Sequence, residues 1–309
     1  MWVEKRQSSW IETVVLGGFA LPHIWTRTLT VTVLSILATV LYEEVPQFHY
    51  SLTVAPFTII GLPLGIFLGF RNNSAYDRFW EGRKLWGALV NTSRSFTRQI
   101  LTLLDSPDGM EQLRDFQRET VHLLIAYVHA LRLHLRDAKP GQVLDGSLPV
   151  EEHASHEGEH NVPLGILQTL AERLATARRK GWVHPQHVLV LEASLIGITD
   201  IQGACERIRS TPIPYSYTVL IHRIVAVYCM LLPFGLMETV KWATPAVVLA
   251  ISYCFFGLDA VGDELEDPFG TQANDLPLDA ISRTIERDLR RRLGEVVPGP
   301  IEPKRGVLT

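Results

Sequence analysis

Cysteine is scarce in this chain. Three stand among 309 residues, Cys205, Cys229 and Cys254, and their spacing matches no metal-binding or redox motif. They read as buried apolar fillers. Several catalytic signatures are absent as well. There is no His-Glu-x-x-His pair for zinc, no Gly-x-Ser-x-Gly nucleophile turn and no glycine loop of the kind that cradles phosphate. These absences count against an enzyme, and no cofactor is expected. No internal repeat is evident and Pro63 is the one candidate helix break, which counts against a carrier built from inverted repeats. No small-residue cleavage pattern follows an apolar region near Lys5, Arg6 and Glu12, so no cleavable signal is expected. A formal net charge of −4 offers no basic excess for nucleic acid.

Hydrophobic residues make up 47% and charged residues 20%, with a mean hydropathy of only +0.12. That balance describes a membrane part joined to a substantial aqueous part. Four stretches approach the roughly 17–25 apolar residues that a spanning helix needs: residues 29–42 (extended by 24–28), 52–70, 214–237 and 242–258. The second and fourth carry no charge, whereas the third holds His222 and Arg223. Glycine, proline and threonine are frequent in them, as in helices that pack on helices or line a cavity.

Lysine and arginine orient these spans. Residues 43–51 contain neither, and residues 235–241 contain only Lys241. Residues 71–211 contain seventeen, and the tail carries Arg290, Arg291 and Arg292 together. Both termini and the long middle region are therefore expected in the cytoplasm of a multi-pass inner-membrane protein. The resulting division is 20–70 for the first two membrane helices, 71–211 for a cytosolic helical region, 212–258 for the next two membrane helices and 259–309 for a cytosolic C-terminal segment. The fold class expected is an all-α membrane protein.

The cytosolic part reads as helix almost throughout. No proline occurs between Pro63 and Pro107, so the second membrane helix is expected to continue to about residue 104, a length of roughly 70 Å from residue 56. Further helices are expected at 111–136, 164–179, 185–209 and 277–293, the last capped by Asn274 or Asp275. Residues 150–161 hold His153, His156 and His160 among four glutamates. Such a mixture suits zinc or nickel, but a solvated loop is the preferred reading.

The most informative stretch is 61–86. Leu62, Ile66 and Phe70 recur every fourth residue and line one side of a helix, with Gly61, Gly65 and Gly69 one position round. From spacing alone, packing against a neighbouring helix is the simpler account. In a membrane the same row suits the apolar wall of a pore.

The continuation changes that balance. Residues 70–83, Phe-Arg-Asn-Asn-Ser-Ala-Tyr-Asp-Arg-Phe-Trp-Glu-Gly-Arg, with Leu85-Trp86-Gly87, resemble the bestrophin family, particularly its bacterial members. Two further blocks agree: residues 203–208 followed by Thr211-Pro212-Ile213-Pro214-Tyr215, and residues 263–270 followed by Asn274-Asp275-Leu276-Pro277. The resemblance implies a homopentameric ion channel with four membrane helices per subunit, whose partners are monovalent ions, the bilayer and its own copies. It implies that Leu62, Ile66 and Phe70 form a hydrophobic neck. It also implies a second, cytosolic aperture, for which Pro185 and Gln186 are the match; glutamine makes that aperture polar where an aliphatic residue is frequent. The acidic run that holds calcium in eukaryotic members is reduced here to Asp275. Glu264, Asp267 and Asp275 remain available to a cation clasp, but a hard cation wants six to eight oxygens. Helix capping and pairing with Arg71, Arg78 or Arg207 between subunits is the expected role of these acids.

Apolar rings restrict ions without choosing their sign, so selectivity falls to charged vestibules. The charge of −4 and the resemblance to bacterial members lead to a monovalent-cation pathway as the main expectation. An anion channel of the same architecture is the runner-up, and a non-conducting membrane scaffold is the reading from a different class.

Overall fold

The computed structural model describes residues 20–45, 47, 50–106, 109–138, 159–303 and 307–308. The histidines His153 and His156 lie outside the described residues, and His160 is exposed. Among the described residues the regular structure is helical, apart from bridge residues that include the antiparallel pair Leu104 and Val183.

The described residues form, in order, α1 (Ala20–Glu44), α2 (Val54–Thr102), α3 (Met110–Leu135), α4 (Val162–Arg179), α5 (Pro185–Ser210), α6 (Tyr215–Val240), α7 (Thr244–Glu266) and α8 (Leu278–Arg292). Their ends obey local chemistry. Asn161 caps α4 by accepting from the Leu164 N–H at 3.2 Å, with proline in its first turn. Proline also opens α5. α2 runs unbroken for 49 residues through Pro63, which lacks only the one backbone bond that its missing N–H would have made. α8 has no side-chain cap. Asp275 instead accepts the Gln272 N–H at 2.6 Å and closes the turn ahead of the helix.

Two compact units divide the chain after Phe79, Thr211 and Asp267. The breaks expected from the sequence stood at 70, 211 and 258. The membrane unit holds α1, the first part of α2, α6 and α7. Ile24 and Val31 of α1, Phe57, Leu64 and Leu68 of α2, Ile221, Val225 and Leu232 of α6, and Val248 and Phe256 of α7 close into one apolar core. The reversal from α6 to α7 uses a short 3-10 turn, Lys241–Ala243, entered with Lys241 at φ 46°. The long apolar stretch Tyr215–Glu266 thus supplies two spanning helices, which with α1 and α2 makes four. α5 is also long and apolar enough to cross a bilayer, a property the sequence reading did not assign to it. Its hydropathy comes from two apolar faces: Leu191, Leu195, Ile198 and Ile201 are buried, and Leu189, Val190 and Ile196 are exposed.

The second unit holds the rest of α2 with α3, α4, α5 and α8. α3 is its central helix, packed on α4, α5 and α8. Every residue from Leu123 to Leu131 is buried, so the helix is enclosed on all sides there rather than on one stripe.

Cys205 and Cys229 are buried, but Cys254 is exposed. The outward face of a membrane helix is as apolar as its core face, so residue type alone does not separate the two.

Candidate functional site

The candidate site is built on α2. Its buried positions Phe57, Leu64, Leu68, Arg71 and Ala75 follow one another at intervals of three, four or seven and so share a face. That face is committed to the subunit's own core. Leu62, Ile66 and Phe70 stand on another side and are 72%, 51% and 62% exposed. Burying side chains of this size contributes about 1.5–3 kcal/mol each, so three in a row left open on one helix form a surface prepared for an apolar or assembled environment.

The glycine row is less uniform than its spacing suggests. A Cβ at Gly61 would come within 2.8 Å of the Tyr228 hydroxyl, so this glycine permits the approach of α6. At Gly65 and Gly69 a Cβ would meet nothing within 4 Å. Two of the three glycines therefore have no role inside the subunit.

Directly after Phe70 the apolar row gives way to a buried ion-pair network. Arg71 is 0% exposed and donates to Asp259 Oδ1 at 2.8 Å and to the Asp259 carbonyl at 3.3 Å. It also pairs with Asp263, and its guanidinium lies 3.9 Å from Glu266. His222 of α6 meets Asp259 Oδ2 through Nδ1 at 2.6 Å and Asp263 Oδ1 through Nε2 at 3.5 Å. Arg27 of α1 approaches Asp259 at 3.6 Å. Asn72 donates to the Leu258 carbonyl at 3.0 Å. A Cβ at Gly262 would come 2.5 Å from Asn72 Oδ1 and 3.4 Å from the Arg71 guanidinium, so α7 needs a glycine where α2 crosses it.

Among the described residues, His222, Asp259 and Asp263 are ligand-type side chains that the structure draws together, each with a ligand atom within 4.8 Å of the others. Both carboxylates share Arg71, and Asp259 also meets Arg27, so each already has a cationic partner. The expected clasp residues lie elsewhere: Glu264 is half-buried on α7, Asp267 is exposed at the end of that helix, and Asp275 is buried in its turn in the other unit. The three arginines expected to pair between subunits find partners within the chain. Arg71 takes the acids of α7, Arg78 donates to the Glu266 carbonyl at 3.0 Å, and Arg207 meets Glu81 at 2.6 Å. Glu266 also accepts the Ile213 N–H at 2.9 Å.

Gln186 is exposed in the first turn of α5, its N–H donating to the ring of His184 at 3.4 Å. Leu189 and Ile196, 74% and 53% exposed, lie three and ten residues further and share that side of the helix. Sequence reasoning missed this row, whose signal was an apolar periodicity on both faces of α5. It noted His222 inside the third span but did not join it to Asp259, which stands just past the fourth.

Residues 1–291 match the family described as Bacterial/Fungal Bestrophin protein. The chain belongs to the bestrophin family. Among its relatives, the voltage-dependent anion channel-forming protein YneE of Salmonella typhi is 40% identical over 288 residues, covering 93% of this chain and 92% of that protein. YneE of Escherichia coli K12 is 39% identical over 98% of each. The crystal structure of a bacterial bestrophin homolog from Klebsiella pneumoniae superposes with a TM-score of 0.83 at 36% identity, covering 88% of this chain and 99% of that one. As a bestrophin, the chain is an all-α membrane protein.

Proposed function

We propose that this bestrophin is an ion channel formed by five copies of the chain, with Leu62, Ile66 and Phe70 facing a central axis as three stacked apolar rings. The observation that carries this reading is the exposure of that row on a helix whose opposite face is already buried in the subunit's core. The open positions Gly65 and Gly69 beside it leave room for a neighbouring copy to approach. Leu62 to Phe70 extends about 12 Å along a helix, so the rings form a neck rather than a single constriction, and such a neck gates by dewetting. Gln186 opens the second, polar aperture, with both termini on the cytoplasmic side of the inner membrane.

For the permeant ion we take the anion. Relatives about 40% identical to this chain are named anion channel-forming proteins, which supports the runner-up of the sequence analysis over its cation expectation. The cation argument rested on a net charge of −4, and that sum counts every residue of the chain rather than those facing the pore. Sign selectivity is set locally, by the charges lining the wider vestibules.

Purified protein in liposomes or planar bilayers under a KCl gradient tests both parts. A reversal potential on the chloride side supports the anion reading, and one on the potassium side returns the cation. Absence of flux, even with Ile66→Ala and Phe70→Ala together, removes the channel reading and leaves a scaffold. Mass measurement in mild detergent is expected to give five subunits.

A further inference from the structure

Neither the apolar row of α2 nor the net charge of the chain supplies a group that chooses the sign of an ion. The same face of α2 does, two turns further on. Leu62, Ile66 and Phe70 are followed on that side by Asn73 and Asp77, at intervals of three and four residues. Both are exposed, while Arg71 and Ala75 continue the buried face behind them. All of these residues belong to the membrane unit. The row thus passes from apolar to amide to carboxylate without leaving its face, and Asp77 is its first charge. Phe70 and Asp77 are about 10 Å apart along the helix.

Asp77 also differs from the acids of α7 in the same unit. Asp259 and Asp263 share Arg71, and Glu266 accepts the Ile213 N–H. Among the described residues, no hydrogen bond or ion pair reaches the Asp77 carboxylate. Its chain neighbour Arg78 turns to the Glu266 carbonyl instead, at 3.0 Å. Lys84, the next charge at the same spacing, comes about 10 Å further along the helix, too far to pair with it.

We propose that Asp77 is a selectivity-determining residue, whose five carboxylates ring the cytoplasmic end of the neck, concentrate cations there and repel anions. This rests on the arrangement proposed above, in which Leu62, Ile66 and Phe70 face the axis. Carboxylate rings favour cations in pores, and the low-dielectric wall beside them focuses their field.

The ring works against the anion path, so it lowers the chloride preference that the rest of the vestibule sets. The direction of its effect is the same whichever ion the intact channel prefers, because removing a negative ring favours the anion in either case. The carboxylates act through water, so salt shortens their reach.

The test uses full-length protein in planar bilayers under a KCl gradient at low ionic strength, read by reversal potential and single-channel conductance. Asp77→Asn keeps the shape and removes the charge, and it is expected to raise the chloride-to-potassium permeability ratio several-fold. Asp77→Lys should raise it further, and Asp77→Glu, which keeps the charge, should stay with the parent. Glu111→Gln, at an exposed acid in the first turn of α3, should leave the ratio unchanged. The Asp77→Asn shift should shrink at high salt; a shift of equal size there, or an equal shift in the α3 control, overturns the proposal. Ile66→Ala serves as the reference for the pore. If it raises conductance while Asp77→Asn leaves the ratio at the parental value, the neck stands and the Asp77 ring falls. If no variant passes ions, even with Ile66 and Phe70 both truncated, the pore reading falls and the ring with it. A change in ratio that comes only with loss of the pentamer on mass measurement would assign Asp77 to a contact between copies and also overturns the proposal.

Discussion

Arg71 and Asp259 stand 2.8 Å apart and neither is open to solvent, at 0% and 1% side-chain exposure. A charge enclosed in this way is tolerated only with a partner and satisfied donors. Removing one member leaves the other buried and unpaired, at a cost of about 3–5 kcal/mol. Arg71→Met and Asp259→Leu are each expected to lower the thermal midpoint in detergent strongly. The double variant should recover part of that loss, because the two fully buried charges leave together while Asp263, at 43% side-chain exposure, keeps access to solvent. Additive losses in the double variant would show that the two residues act separately.

Gly262 fits beneath the same pair. An alanine there would press 2.5 Å from Asn72 Oδ1 and 3.4 Å from the Arg71 guanidinium. Forcing volume into a closed contact costs about 1–3 kcal/mol, and here it also pushes apart the helices that carry the ion pair. Gly262→Ala is expected to lower stability within that range, while alanine at Gly69, where a Cβ meets nothing within 4 Å, should leave the stability of the subunit core unchanged. Similar thermal shifts for the two substitutions would contradict the crossing described above.

The helices were readable because their signals are local. Prolines mark the start of α5 and the approach to α6, and the α3 stripe of Leu113, Val121, Leu124 and Val128 is periodic in the sequence and buried in the structure. The partners of Arg71 were not readable. They depend on α7 meeting α2 nearly two hundred residues away, and several acids in 259–267 were equally eligible by type. The candidate cap Asp275 was misread for a related reason, since a carboxylate before a helix can serve its own turn, and here the Gln272 N–H takes it. The neck row was legible as a face, whereas its openness was not, because apolar spacing looks the same towards a core, a lipid or a pore.

Truncation on the two faces of α2 should separate those roles. Leu64 and Leu68 are 3% and 0% exposed, and replacing either by alanine is expected to cost about 2–5 kcal/mol through lost contacts and a cavity. Ile66→Ala and Phe70→Ala should leave subunit stability nearly unchanged and, under the proposed arrangement, raise single-channel conductance, because each would widen a ring without disturbing the core. Unchanged conductance with a folded pentamer would mean that these side chains face protein rather than the ion path.

Glu286 gives the second unit an acid-sensitive joint. It sits 8% exposed on α8, with His129 of α3 at 3.2 Å, Arg290 at 3.0 Å and Arg283 at 3.6 Å. Burial pushes its carboxyl up, but the His129 hydrogen bond and the charges of His129, Arg283 and Arg290 outweigh burial and hold it down at about 2. A carboxylate depressed on folding adds stability that is complete above its ordinary value, near 4.5, and drains away as pH falls towards about 2. Hydrogen exchange in the α8 peptide should therefore quicken over that interval. Glu286→Gln should exchange faster than the parent at neutral pH, having lost the charge-assisted contacts, and should respond less to acid. A variant whose α8 protection falls as steeply with acid as the parent's would place the sensitivity in other carboxylates of the unit.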